Sequence, residues 1–345
     1  MDFQIALFLA QDGITGGAIY ALLALALVLV FSVTRVIFIP QGEFVAFGAL
    51  TMATLQAGQT PATVWLLLGA SAVAAVIELW RQGRRGSLAT TGWRDAAKLL
   101  LYPAAVVALT LALPLADLPN IVRVALTLAI VVPLAPLMYR LAFQPIAEAP
   151  VLVLLIVAVA VHVALVGMGL VFFGAEGTRT EAFSDASIAI GPLDISGQQI
   201  WVVAASAALI LALWRFFSAT LYGKALRATA VNRNGARLMG FSPVFAGKLT
   251  FLLAGLIGTL SGVLIAPITT IYYDTGFLIG LKGFVAAIIG GLGSFPLAAA
   301  GALLVGLLES FASFWASAYK EVIVFTLIIP VLLWRSLTSH HVEEE

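Results

Sequence analysis

The chain has 345 residues, of which 62% are apolar and 10% charged, with a formal net charge of +1. Soluble domains carry about 25% charged residues, so a water-exposed globule of this size is excluded and the surrounding solvent is lipid. The absence of cysteine excludes disulfides and cysteine-ligated metals, and so small a net charge points to no class of partner.

The first residues lack the basic flank of a signal peptide. The first apolar run, Gly13 to Thr34, is too long for a cleaved leader and is expected to remain as a span. A crossing helix needs about 20 apolar residues, because each rises about 1.5 Å through about 30 Å of hydrocarbon. Runs that meet or approach this length lie at 14–33, 36–56, 62–80, 98–115, 120–140, 150–172, 199–215, 247–267, 279–293, 297–315 and 321–335. The expected fold is an all-α, polytopic membrane protein. It forms one transmembrane domain over 1–345, with about 10–11 membrane segments that include broken or re-entrant helices.

Basic residues set the orientation. With the N-terminus outside and the C-terminus in the cytoplasm, 14 of the 18 Lys and Arg fall inside, including Arg35, the cluster Arg81, Arg84, Arg85, Arg94 and Lys98, then Arg140 and Arg335. The largest outer loop is then Gly174 to Gln198, which is acidic. The last residues, 338–345, are expected to be a disordered tail.

Two stretches interrupt the apolar pattern. One is Ile39-Pro40-Gln41-Gly42-Glu43, where proline removes a backbone donor. The other runs from Gly280-Leu281-Lys282-Gly283-Phe284 through Gly290-Gly291 to Pro296. Irregular backbone at membrane depth survives only against protein or a water-filled cavity, and paired interruptions point to a translocation path. Ordinary interfacial loops are the other reading. Gly255, Gly258, Ser261 and Gly262 mark a small-residue face suited to close helix packing.

Ionisable groups within apolar segments are costly and rarely idle. Glu43 and Lys282 fall in the two interruptions, with a role at a path or gate set against a capping role. His162 reads as a packing histidine, Glu309 as a partner for a neighbouring span and Glu78 as a solvated helix end.

Between two apolar segments lies the basic loop 216–246, flanked by Arg215 and Lys248. Its core, Leu226 to Phe241, combines helix formers, basic residues and apolar Leu226, Val231, Leu238 and Met239, the composition of a short amphipathic helix for a groove on a partner. Gly223-Lys224 is followed by Ala225 and lacks the upstream glycine of a phosphate-binding loop, and H-E-x-x-H is absent. With no catalytic constellation visible, the chain reads as a solute carrier and not an enzyme, with no cofactor.

Three blocks carry a family resemblance. Gly17-Ala18-Ile19-Tyr20-Ala21-Leu22 looks like a first-helix pattern. Gln41-Gly42-Glu43 looks like the end of an asparagine-phenylalanine-alanine-histidine-glycine-glutamate motif. Tyr222-Gly223-Lys224-Ala225-Leu226-Arg227-Ala228, with Asn232, Ala236, Leu238 and Gly240, looks like a cytoplasmic coupling segment. Lys282, Phe284, Gly290-Gly291, Gly293-Ser294 and Pro296 follow in register. The chain resembles the H-type permease subunit of ATP-binding-cassette importers for branched-chain amino acids. Two departures stand out. Phe38-Ile39-Pro40 replaces asparagine, phenylalanine and alanine, and 82–119 looks like an insertion that adds two spans.

The resemblance implies an inner-membrane permease that pairs with a second permease subunit, identical or related. Two cytoplasmic ATPase subunits and an extracytoplasmic solute-binding protein complete the importer, with lipid on the flanks and no nucleic acid. It implies coupling to the ATPase through Lys224, Arg227, Asn232, Ala236, Leu238 and Gly240. It implies a path or gate near Tyr20, Gln41, Gly42, Glu43, Lys282, Gly290 and Gly291. An ion-coupled secondary transporter of small organic solutes, and a scaffold without transport activity, remain the rival readings of the residues.

Overall fold

The computed structural model describes residues 3–84, 93–191 and 193–338. Arg85 and the tail 339–345, named above, lie outside the described residues. The described part is almost wholly helical, and eight helices are long and apolar enough to cross a membrane.

The first helix, α1 (Phe3–Thr34), is apolar on every side, and every residue from Gly17 to Val30 is buried at its centre. A helix with no polar face has to be enclosed by others. Its 32 residues span about 48 Å at about 1.5 Å each. It lies against α11 (Pro243–Ile265), α12 (Thr275–Ile289) and, most extensively, α13 (Phe295–Ala316). The α1–α13 contact is made by glycines: a methyl on Gly306 would overlap the backbone of Gly13 and Gly17. Such backbone contact is what small residues permit where lipid supplies no hydrophobic drive.

Beyond Thr34 the chain reverses through Arg35, which holds a left-handed φ of 61°. The extended link after it carries Phe38 into a cluster with Phe251 (ring centroids 4.7 Å apart), Phe44 and Phe143. Helix α2 (Gln41–Gln56) follows. The first interruption is therefore the start of a helix and not a break inside one, and the expected segment 36–56 is helical only from Gln41. Pro40 suits this place, since a residue ahead of the first turn needs no amide donor. The small face of α11 packs here as expected, with Gly258 against Phe44 and Gly262 against Val45.

Next come α3 (Thr63–Arg84) and α4 (Trp93–Ala112), packed on each other. The span 120–146 bends at Pro133 into α5 (Asn120–Val131), α6 (Leu134–Met138) and a π-type turn, Tyr139–Phe143. Pro133 has no N–H for the carbonyl of Ala129, and the Tyr102 hydroxyl donates to that carbonyl instead (2.8 Å). Helix α7 (Val151–Phe173) leads to the loop 174–196. That loop contains a short departure from helix, the antiparallel hairpin β1 (Ser187–Ile190) and β2 (Leu193–Ser196), in register Ser187 to Ser196. Helix α8 (Gly197–Ala219) opens on a capping box formed by Ser196 and Gln199. The short helices α9 (Leu221–Val231) and α10 (Arg233–Leu238) come next, and the chain closes with α14 (Lys320–Thr326) and α15 (Ile328–Thr338).

The bundle thus has a hairpin end, shared by the N-terminal part of α1 and the loop 174–196, and an opposite end carrying α9 and α10. Gln11 and Asp12 bond Gln199 at the first (2.6 and 3.0 Å).

Candidate functional site

Two half-length helices meet at the middle of this bundle. Gln41 Nε2 donates to the carbonyl of Ala254, midway along α11 (3.0 Å), so α2 begins at mid-depth. Its far end reaches the hairpin end, where Gln56 Oε1 accepts from the Glu181 amide (3.0 Å). Helix α12 begins at the same depth and runs the other way. Phe277 stacks on His162 (4.6 Å), midway along α7, while Phe295, just past the end of α12, stacks on Phe217 near α9. The two starts touch through glycine: a methyl on Gly42 would overlap the Gly276 carbonyl and crowd Gly280.

This geometry corrects the expected second interruption. Gly280, Lys282, Gly283 and Phe284 are helical, inside α12, so the span is 275–289 and not 279–293. The irregular stretch that mirrors the link before α2 is 266–274. It pairs with the loop 174–196 through Thr178 and Ile271, whose amides and carbonyls exchange bonds of 3.0 and 2.9 Å. Gly290 and Gly291 form the turn from α12 to α13 at the α9–α10 end, with Gly291 at a φ of 68°. They are brought together with neither polar cluster described next.

The first cluster is Glu43 with His162. The carboxylate, fully buried in the first turn of α2, lies 3.0 Å from His162 Nδ1. The angle is not that of a regular hydrogen bond, and neither Glu43 oxygen has another partner among the described residues. The positive end of the α2 dipole lies against the carboxylate. An apolar cavity of about 210 Å³, lined by Phe44, Leu66, Met138 and Val161 among others, adjoins it. His162, read from sequence as a packing residue, thus also stands against the Glu43 carboxylate.

The second cluster joins three helices and α1. Lys282 Nζ donates to Glu309 Oε1 (2.5 Å) and to Glu321 Oε1 (3.1 Å), and the Tyr20 hydroxyl donates to Glu309 Oε2 (2.6 Å). Two carboxylates face one ammonium, leaving one negative charge in excess. This cluster borders a cavity of about 440 Å³, whose walls include Asp12, Tyr20, Glu309, Ser310, Ser313 and Lys320. Sequence reasoning named Tyr20 and Lys282 for a path or gate and held Glu309 for structure. It did not single out Glu321, the first residue of the apolar run 321–335.

The loop 216–246 folds as two capped helices and not one. Thr220 accepts from the Gly223 amide (3.0 Å), and Asn232 accepts from the Gly235 amide (2.8 Å). Gly240, at a φ of 88°, ends α10. Leu226 and Ala236 face inward, Leu226 onto Leu29, Val33 and Ala246 near the end of α1. Leu226 and Ala236 are therefore unavailable to a partner. Lys224, Arg227, Leu238 and Gly240 are exposed, and Val231 and Leu238 (each 88% exposed) and Met239 (79%) form an apolar corner. Arg233 ties the corner to the Ala147 carbonyl (3.1 Å).

Comparison with known proteins gives a consistent picture. The family model described as branched-chain amino acid transport system / permease component matches residues 96–332. The high-affinity branched-chain amino acid transport system permease protein LivH of Escherichia coli is 26% identical over 96% of this chain and 95% of its own length. The corresponding protein BraD of Pseudomonas aeruginosa is 36% identical over 41% of this chain and 47% of its own. A probable LivH of Methanocaldococcus jannaschii is 31% identical over 36% and 42%.

Proposed function

Because the chain belongs to the family of permease components of branched-chain amino acid transport systems, we propose that it forms half of the translocation path of an ATP-driven importer of leucine-type amino acids. The N-terminus and hairpin end face outward in this reading, which leaves most basic residues on the cytoplasmic side. A second permease, two ATPase subunits and an extracytoplasmic binding protein complete the assembly.

One observation carries the reading: the apolar corner of Val231, Leu238 and Met239 stands exposed on capped, anchored helices. A water-facing apolar corner on a rigid mount suits docking into a groove. The Leu226 contact with Leu29 and Val33 adds α1 to the lever, so motion of α9 reaches the Tyr20 cluster along one helix. The loop residues divide by role, with Lys224, Arg227, Leu238 and Gly240 on the docking face and Asn232 and Ala236 holding its shape.

The path runs from the hairpin-end cavity toward the paired starts of α2 and α12. The excess negative charge at Glu309 and Glu321 suits the ammonium of an amino acid, and Lys320 on the same cavity suits its carboxylate. Glu43 and His162 lie deeper, where Gln41 and Gly42 hold the crossing of the half-helices and gate the way on.

The test is reconstitution in vesicles with a second permease, ATPase subunits and a solute-binding protein from the same organism. Leucine uptake is expected to require ATP, and Leu238→Asp with Met239→Asp should abolish both uptake and ATPase co-purification while the permease still elutes as a folded species. Uptake that continues without nucleotide, driven by an ion gradient, would replace this reading with a secondary transporter.

A further inference from the structure

A third cavity serves neither polar cluster. It is a crevice of about 300 Å³ between α3, α4, α6 and α11. Its apolar walls come from Leu67, Leu99, Pro103 and Leu137, and its basic groups are Lys98, Arg140 and Lys248. Lys98 lies in the second turn of α4 and Lys248 in the second turn of α11, both near the α9–α10 end. The surrounding surface of α3 and α4 is apolar and open, with Val73, Val76 and Leu101 more than half exposed. The crevice therefore opens toward the bilayer.

Charge and hydrogen bonding both leave something unmet there. Glu78 is not a solvated helix end but binds Arg140 (2.7 Å), and Asp95 lies 3.8 Å from exposed Lys98. Lys248 makes no ion pair among the described residues, so three cations face two carboxylates. A half-buried ammonium beside hydrocarbon is costly without an anion. Ser71, at 1% exposure, lines the same crevice, and its Oγ has no partner among the described residues. Hydroxyls on apolar helices usually return to the carbonyl four residues back. Thr110 and Thr127 do so here, and Ser71 does not. The Tyr102 hydroxyl is already committed to Ala129.

We propose that this crevice binds an anionic phospholipid. The phosphodiester lies on Lys248, Arg140 and Lys98 and neutralises the one excess positive charge. An ester oxygen accepts from Ser71, and an acyl chain follows Leu67, Leu99 and Leu137. The apolar walls select a lipid over free phosphate, and basic pockets between membrane helices take anionic headgroups in this way. Helix α4, which lies in the stretch 82–119 read from sequence as an insertion, thereby gains a role: it is the wall that turns the surface of α3 into a pocket.

The full chain, delipidated in detergent, is titrated with phosphatidylglycerol, phosphatidylcholine or inorganic phosphate and followed by native mass spectrometry and thermal melting. Phosphatidylglycerol alone should give a retained adduct and raise the melting temperature. Lys248→Gln should weaken it about fivefold and Ser71→Ala about threefold, while Lys224→Gln on exposed α9 should leave it unchanged. If Lys248→Gln does not accumulate, Lys98→Gln and the wild-type contrast between the two lipids decide. Equal retention of phosphatidylcholine, an equal shift with inorganic phosphate, or unchanged affinity in both lysine variants would overturn the proposal.

Discussion

The Glu43–His162 pair and the Lys282–Glu309–Glu321 network both lie on the half-length helices, yet only the second has polar space beside it. Glu43 sits among Phe44, Phe47 and Met168 against a cavity lined almost wholly by apolar side chains. Glu309 shares its cavity with Asp12, Ser310, Ser313 and Lys320. The first sets one carboxylate against one imidazole and a helix dipole. The second sets two carboxylates against one ammonium. An apolar surround holds a shape, and a polar one with charge to spare has something left to bind. In the proposed function that difference gives the gate to the first and the solute contact to the second.

The strongest way to break the comparison is to remove the crossing that both helices share. Gly42→Val would drive side-chain carbons into the Gly276 carbonyl. Overpacking costs about 1–3 kcal/mol where side chains can yield, and backbone cannot yield as they do, so a loss above about 3 kcal/mol is expected. It would be read as absence of a monodisperse peak in detergent. Gly69→Ala, which meets nothing within 4 Å, is the matched control and should behave as wild type.

Lys282→Met comes next. It leaves Glu309 and Glu321 without their cation. Removing one partner of a buried pair costs about 3–5 kcal/mol. Glu321 is 33% exposed, so about 2–3 kcal/mol is expected after solvent screening. Thermal melting measures the loss. Glu309→Gln together with Glu321→Gln in the Lys282→Met background should restore most of the stability but not uptake. Restored uptake would show that the network carries no solute contact.

Glu43→Gln sharpens the contrast. The amide keeps the volume and loses the charge, in a place where only His162 answers it. A change of no more than about 1 kcal/mol is expected, because the carboxylate has no regular hydrogen bond to lose. Leucine uptake should fall less than with Glu309→Gln. The reverse order would exchange the roles of the two clusters.

Much of this arrangement was legible in the residues, and what was not has physical reasons. An unbroken apolar run announced α1. Pro40-Gln41 read as a break inside a helix where it is a helix start, because proline marks a kink and the position ahead of a first turn equally well. The glycine face of α11 announced close packing, and Phe44 and the Val45 backbone meet it. The start of α12 was hidden. Pro267 and Asp274 are ordinary loop residues, whereas Gly290-Gly291 is so strong a turn signal that it drew the interruption to the wrong end of the helix. The pairing of Glu43 with His162 and of Lys282 with Glu321 joins segments far apart in sequence, and local periodicity holds no information about such partners. In α9 the pattern showed an apolar face but not that α1 already covers it, which is why Leu226 read as free to dock.

Enclosure and openness divide α9 and α10 as well, where two leucines offer the mildest test. Leu226 is buried against Leu29 and Val33, and truncation to alanine should cost about 2–3 kcal/mol. Leu238 is 88% exposed, and Leu238→Ser should change stability by no more than about 0.5 kcal/mol. If the corner docks an ATPase subunit, Leu238→Ser should nevertheless weaken co-purification of that subunit more than Leu226→Ala does at equal amounts of folded permease. The effect on binding and the effect on stability then point to opposite residues, which a general loss of structure cannot produce. Equal melting losses for the two variants would mean that Leu238 packs against this chain in solution, and the corner would no longer be a docking surface.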